Sequence, residues 1–187
     1  EYPFVFHNLQ LPIMSRVLDF GCCASKVSIE LASLGYKVTG VDLNDYEFTH
    51  PNFEFIKGDL LKNSFPDNHF DAAVAIGSIE HAGLGAYGEQ EFPDGDIQVV
   101  DEIYRVLKNG GLFIITIPFG RAGVHLGPPK SRIYDEDSLN RLLRKFRVRK
   151  EEFFAGVNRK YWIPVSKEEL SNSDSPREGV ACVLAER

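Results

Sequence analysis

The sequence predicts an α/β fold built on a mostly parallel sheet, and three observations support it. Short apolar runs alternate with stretches of helical periodicity, the pattern of βαβ units. The early apolar runs end on Gly or Asp, as strands do where they pass into turns. The chain has 187 residues, 43% of them hydrophobic, with no internal repeat or linker. That matches one domain of about 100–200 residues, so residues 1–187 are expected to form a single unit.

The elements follow in order. RVLDF at 16–20 is short, apolar and followed by Gly21, a strand ending in a turn. Ser25 then precedes a helical pattern with Val27, Leu31 and Leu34 on one face and Gly35 as its stop. Strands are expected at 37–41 (KVTGV, before Asp42), 53–57 (FEFIK, before Gly58 and Asp59) and 70–76 (FDAAVAI). The last is apolar enough to be central. Asp96 can cap a helix carrying Ile97, Val100, Tyr104 and Leu107, closed by Asn109-Gly110-Gly111. A strand at 112–117 (LFIITI) comes next, then a helix marked by Leu139, Leu142, Leu143 and Phe146. Two late strands are expected near 147–154 and 180–186, separated by a polar, exposed stretch at 166–178 that holds Pro176.

Composition excludes several classes. Asp plus Glu number 27 against 21 Lys plus Arg, a net charge of −6, which disfavours a binder of duplex nucleic acid that relies on overall basicity. The basic run from Arg141 to Lys150 reads as a solvated face. Cys22, Cys23 and Cys182 cannot all pair, and no zinc-type Cys/His spacing occurs. Reduced thiols in a cytoplasmic protein, with no metal, are the expectation. No apolar run is long enough to span a membrane, and the first 15 residues lack the pattern of a signal peptide. The sequence opens on Glu1 rather than Met, which leaves room for upstream residues. Oligomeric state is not legible.

In an open α/β sheet, ligands bind beyond the carboxyl ends of the strands, so the turn after the first strand is informative. A dinucleotide site wants G-x-G-x-x-G there; this turn reads GCCASK, with only Gly21. Asp19, just before it, would repel a pyrophosphate but suits a ligand bearing an ammonium and a sulfonium. Asp42, 21 residues after Gly21, can accept hydrogen bonds from ribose hydroxyls. Asp59 stands where an adenine edge would come.

Four segments, VLDFGCCASKVSIELASLGYKVTGVDL, FIKGDL, FDAAVAIGSIEH and EIYRVLKNGGLFIITIP, together resemble the class I S-adenosylmethionine-dependent methyltransferases. The resemblance covers about residues 16–118. A further segment, EHAGLGAYGEQEFPDGD, resembles a subgroup of that family marked by an EHxGLGxYG pattern. The resemblance implies a Rossmann-like, doubly wound, seven-stranded sheet of order 3-2-1-4-5-7-6 with the last strand antiparallel, flanked by helices, and S-adenosyl-L-methionine as cofactor. It implies that Asp19 and Gly21 lie at the methionine end, Asp42 at the ribose, Leu43, Asp59 and Leu60 at the adenine, and Gly77 near the sulfur, with Cys23 a further cofactor-binding residue. The turn departs from the family's usual G-C-G-x-G, because Cys23 and Ser25 replace two glycines. Were those positions to need positive φ, each side chain would cost about 1–2 kcal/mol.

Methyl transfer from a sulfonium needs chiefly a well-placed acceptor, and a hydroxyl acceptor gains from a base near neutral pKa. His81, beyond the fourth strand, is the candidate catalytic residue. Glu80, Tyr87, His125, Arg132 and Tyr134 are candidates for binding the acceptor, Arg132 through a phosphate or carboxylate. Tyr161 and Trp162 read as packing, or as a platform for a sugar ring. The sequence reading is an O-methyltransferase acting on a small polar acceptor such as a sugar or sugar nucleotide. A non-catalytic cofactor-binding scaffold is the alternative that the altered turn raises.

Overall fold

A computed structural model describes residues 1–158, 160–172 and 179–187. Its elements are α1 (Tyr2–Asn8), β1 (Arg16–Phe20), α2 (Val27–Ser33), β2 (Lys37–Asp42), β3 (Phe53–Lys57), β4 (Phe70–Ile76), α3 (Gly95–Val106), β5 (Leu107–Pro118), β6 (Gly123–His125), β7 (Ser131–Ile133), α4 (Glu136–Leu142), β8 (Arg147–Val157), β9 (Tyr161–Val165), α5 (Lys167–Ser171) and β10 (Gly179–Glu186). Short 3-10 turns follow three strand tips, at Cys22–Ala24, Leu60–Lys62 and Ile79–His81.

The main sheet runs β3-β2-β1-β4-β5-β10-β8-β9. Its first five strands are parallel, and β10 pairs antiparallel with both β5 and β8. Counted without the short β6–β7 hairpin, this is the expected order with one strand added. The extra strand is β9, YWIPV, which turns back along β8 so that Phe153 pairs with Val165 and Val157 with Tyr161. Asn158, in the left-handed region at φ 51°, begins the reversal, and Pro164 is tolerated because β9 is an edge. Residues read as packing aromatics before a loop are therefore a strand. The polar stretch after it begins with α5, whose Ser166 forms a capping box with Glu169; Pro176 lies outside the described residues.

Helices cover both faces. On one, α3 and α4 bury Val99, Val100, Ile103, Leu139 and Leu142 against Phe70, Phe113 and Ile115. On the other, α1 and α2 bury Phe4, Val5, Val27 and Leu31 against Val17, Val74 and Ile114. The alternation of Ile114 and Ile115 between the two clusters is the two-residue period of a strand covered on both sides. Two helix phases differ from the sequence reading. Leu34 is 58% exposed, because α2 ends at Ser33 and Gly35 turns the chain at φ 95°. In α3, Val100 and the following Leu107 are buried as expected, but Ile97 and Tyr104 are only partly buried and Val99, Ile103 and Val106 take the core-facing positions. No helix among the described residues is long and apolar enough to cross a membrane.

Asp96 does not cap α3. Asp94 holds the N-cap position without a side-chain capping bond, while Asp96 is buried and accepts from the Tyr134 hydroxyl at 3.0 Å. Arg132 Nε lies 3.5 Å from the same carboxylate oxygen. This cluster ties the β7 segment to α3. Removing the hydroxyl leaves a buried carboxylate short of a donor, which costs about 1–3 kcal/mol. Tyr134→Phe is therefore expected to lower stability in urea unfolding by about 1–3 kcal/mol at an unchanged denaturant slope; an unchanged midpoint would contradict this role.

Candidate cofactor and acceptor site

A cavity of about 380 Å³ lies beyond the carboxyl ends of β1, β2 and β4, where a parallel sheet of this order opens. Gly21 shapes its floor. Its φ is 73°, and a Cβ there would stand 2.3 Å from the Cβ of Ser78, so only glycine lets the β1 and β4 tips come this close. Ser78 Oγ donates to the Phe20 carbonyl at 3.0 Å. Cys23 and Ser25 are not strained: among the described residues neither is a positive-φ position, and Ser25 is extended at φ −132°. The two replaced glycines thus cost no backbone strain.

Asp42 joins the first two strand tips. Cys23 N donates to its Oδ2 at 2.9 Å, and Asn44 donates to its Oδ1 through N at 2.8 Å and Nδ2 at 3.4 Å, which leaves Oδ2 with capacity for a second donor. Leu43, 39% exposed, and the buried Leu60 supply apolar surface to the wall. Asp59 caps the following 3-10 turn through Leu61 N at 3.0 Å and also lines the cavity. Gly77, at φ 55°, donates its N–H to Thr116 Oγ1 at 3.1 Å, and Thr116 donates in turn to Glu1 Oε1 at 2.8 Å. The wall carries the carboxylates of Glu1, Asp42, Asp59 and Glu89 and no Lys or Arg among the described residues. A cavity so charged suits a cationic ligand and opposes a phosphate.

Asp19 departs from expectation. It lies beneath the turn, 2% exposed and outside the cavity lining, and accepts from Ser28 Oγ at 2.6 Å. Burial pushes its carboxyl up to about 7 against the Ser28 hydrogen bond. Glu80 is also buried and outside the lining, and burial pushes it up to about 8. Its Oε2 has no hydrogen-bond partner among the described residues, and its Oε1 is 3.9 Å from Nε2 of His81.

His81 lines the cavity with its Nδ1 2.5 Å from the Lys130 carbonyl. A carbonyl accepts only, so Nδ1 is the donor, and Nε2 is the acceptor of the ring's neutral form. Tyr87, half-exposed in the wall, meets the His81 ring edge-on at 5.4 Å between centroids. The other acceptor candidates are placed elsewhere. Arg132 donates to the Ala82 carbonyl at 2.6 Å besides facing Asp96, so it braces the loop behind His81. Tyr134 is buried on Asp96, and His125 pairs with Ser131 across β6 and β7, outside the lining. Their sequence neighbourhood signalled an acceptor loop; instead the β6–β7 hairpin supports the site from behind. Ser78 and Thr116 shape the site without a sequence signal, because their contacts cross between strands distant in the chain.

Cys22, Cys23 and Asp42 place three donor atoms within 4.8 Å of one another. Burial and the Asp42 charge push the Cys23 thiol up to about 12, which opposes thiolate formation.

The raised carboxyls set a pH dependence. Folding holds both protons more tightly than the unfolded chain does, so the stability these groups contribute is complete below pH about 4 and falls as pH rises, to about pH 7 for Asp19 and about 8 for Glu80. Asp19→Asn is expected to flatten the fall in unfolding free energy between about pH 5 and 7, and Glu80→Gln to flatten it up to about pH 8. Slopes matching the native protein's would contradict the assignment.

Comparison with known proteins bears on this geometry. A family model described as a methyltransferase domain matches residues 18–115, just over half of the chain. A sterol 24-C-methyltransferase of Gibberella zeae is 36% identical over 124 residues, covering 59% of this chain and 29% of that protein. One from Neurospora crassa is 38% identical over 112 residues, covering 52% and 26%. The chain thus spans less than a third of these relatives. Among solved structures, a methyltransferase from Methanosarcina mazei superposes with a TM-score of 0.69 at 21% identity, covering 98% of this chain and 96% of that one. A Burkholderia thailandensis 1,6-didemethyltoxoflavin-N1-methyltransferase, solved with S-adenosylhomocysteine, gives 0.69 at 18% identity, covering 100% and 75%. These two share the fold. With the match to the family model, they close the question that the strand-tip carboxylates opened: the chain belongs to the class I S-adenosylmethionine-dependent methyltransferase domain family.

Proposed function

We propose that the chain transfers the methyl group of S-adenosylmethionine to a hydroxyl of a small, uncharged polar acceptor, with His81 receiving the hydroxyl proton. The observation that carries this reading is the His81 ring in the cavity wall, held at Nδ1 by the Lys130 carbonyl, an arrangement that makes Nε2 the basic atom of the neutral ring.

The residues fit the cofactor. Four carboxylates and no Lys or Arg in the wall suit a ligand bearing an ammonium and a sulfonium. Asp42 would hold the ribose hydroxyls with its remaining acceptor capacity, Leu43 and Leu60 the adenine faces, and Asp59 the adenine edge. Gly77 leaves room at the sulfur. When bound, the cofactor supplies a methyl group on a sulfonium, whose leaving group is a neutral thioether. The protein's share is to orient the acceptor and exclude water, which can contribute about 7–11 kcal/mol. His81 keeps its Nδ1 proton on Lys130 and takes the hydroxyl proton at Nε2. Tyr87 against its ring limits rotation.

A sugar nucleotide loses support, since Arg132 is engaged with Ala82 and Asp96 and the cavity offers no Lys or Arg for a phosphate. A neutral sugar hydroxyl retains it. The non-catalytic scaffold also loses support, since the GCCASK turn is unstrained. A second reading, methyl transfer to carbon of a sterol-like acceptor, draws on the fungal relatives and on Ile76 and Phe92 in the wall. The three free thiols support a cytoplasmic setting.

Calorimetry with S-adenosylhomocysteine and product assays on neutral hydroxyl acceptors test the proposal. Asp42→Ala is expected to weaken S-adenosylhomocysteine binding by at least about tenfold, or about 1.4 kcal/mol. His81→Gln is expected to leave that affinity within about twofold while lowering turnover by about 10²–10⁴. Native protein that binds no S-adenosylhomocysteine would overturn the cofactor assignment. Undiminished turnover in His81→Gln, or methylated carbon in the product, would overturn the hydroxyl chemistry.

A further inference from the structure

A second concavity, of about 510 Å³, opens on the α1 face of the sheet, between α1 and strands β8, β9 and β10. Glu1 stands in the walls of both the cofactor cavity and this concavity. Phe4, Phe154 and Trp162 contribute rings to it, beside the polar side chains of Asn8, Lys150 and Glu152. Trp162 is 55% exposed on the edge strand β9, so a large indole is left in water on the lip of a cavity, where a ligand gains most from covering it. The polar groups are held in place. Lys150 Nζ lies 2.7 Å from Glu152 Oε1 and donates to Asn8 Oδ1 at 3.4 Å, and it stands 5.4 Å from the Phe4 ring centroid.

We propose that this concavity is an acceptor subsite for a neutral saccharide unit, stacked on Trp162 with its hydroxyls meeting Glu152, Lys150 and Asn8. The proposal rests on the hydroxyl-acceptor reading of the cofactor cavity and names the acceptor's chemical class. A pyranose presents an apolar C–H face ringed by hydroxyls, which complements an indole ringed by donors and acceptors. An all-carbon skeleton would strip water from these polar side chains and return no hydrogen bonds. An anionic ligand would meet Glu1 and Glu152, while Lys150, the one Lys or Arg among the described residues of the wall, is already paired. Glu1 accepts from Thr116, which accepts from Gly77 N. The wall that the two cavities share at Glu1 is therefore tied to the tip of β4 at Gly77.

Trp162 is the only tryptophan of the chain, so its emission reports this subsite. The full chain is titrated with the methyl glycosides of glucose, galactose, mannose and N-acetylglucosamine, and with maltose. At least one is expected to change the emission saturably, at millimolar concentrations. Glu152→Gln is expected to weaken that response by about tenfold. By calorimetry Trp162→Ala abolishes the binding and Trp162→Phe keeps part of it, each folding as the native chain does by circular dichroism. An emission unchanged by the whole panel overturns the proposal. So does a response to glucose 6-phosphate or to a soluble sterol sulfate without one to the neutral glycosides. S-adenosylhomocysteine calorimetry on the same sample separates the two claims: cofactor binding beside a silent Trp162 sinks the subsite alone, whereas absent cofactor binding sinks the methyltransferase reading whatever Trp162 does.

Discussion

Three strand tips are fastened together at Gly21, and the site depends on that fastening. The Gly21 N–H donates to the Val41 carbonyl at 2.9 Å, the Phe20 carbonyl accepts from Ser78 Oγ, and the Cys23 N–H rests on Asp42. β1 is thereby joined at its carboxyl end to β2 on one side and β4 on the other. The approach of Gly21 to Ser78 leaves no volume for a side chain. Because parallel pairing aligns these three strands in direction, tying their tips brings Asp42, Gly77 and His81 around one cavity, though they are far apart in sequence.

The electrostatics follow from which carboxylates reach that cavity. Three acids at successive strand ends look equivalent in the sequence, yet they do different work. Asp42 and Asp59 stand in the wall with oxygens that accept backbone amides and keep acceptor capacity. Asp19 is one layer deeper, on Ser28, where burial favours its protonated form. It supports the turn from below. The cavity therefore presents a negative wall in which Asp42, Asp59 and Glu89 are fixed by backbone donors.

Much of this was legible from the sequence, for identifiable reasons. The parallel strands announce themselves as short apolar runs, and the turn chemistry at Gly21, Asp42 and Asp59 falls at their ends. Long-range contacts were not legible. Ser78 matters through Gly21, 57 positions earlier in the chain, and nothing local marks it. Arg132 and Tyr134 carry side chains suited to substrate, but Asp96, buried rather than capping, draws both to the protein side. β9 was missed because YWIPV contains a proline and is exposed on both faces, which removes the alternation that marks a half-buried strand. The replaced glycines of the first turn looked costly only while their φ angles were unknown.

A crystal structure of the full chain with S-adenosylhomocysteine bound tests the central claim most directly. The account predicts the ribose on Asp42, the adenine between Leu43 and Leu60, and the sulfur beside Gly77, facing Nε2 of His81 across open space. A nucleoside lying elsewhere on the molecule, or a sulfur walled off from His81, would contradict it.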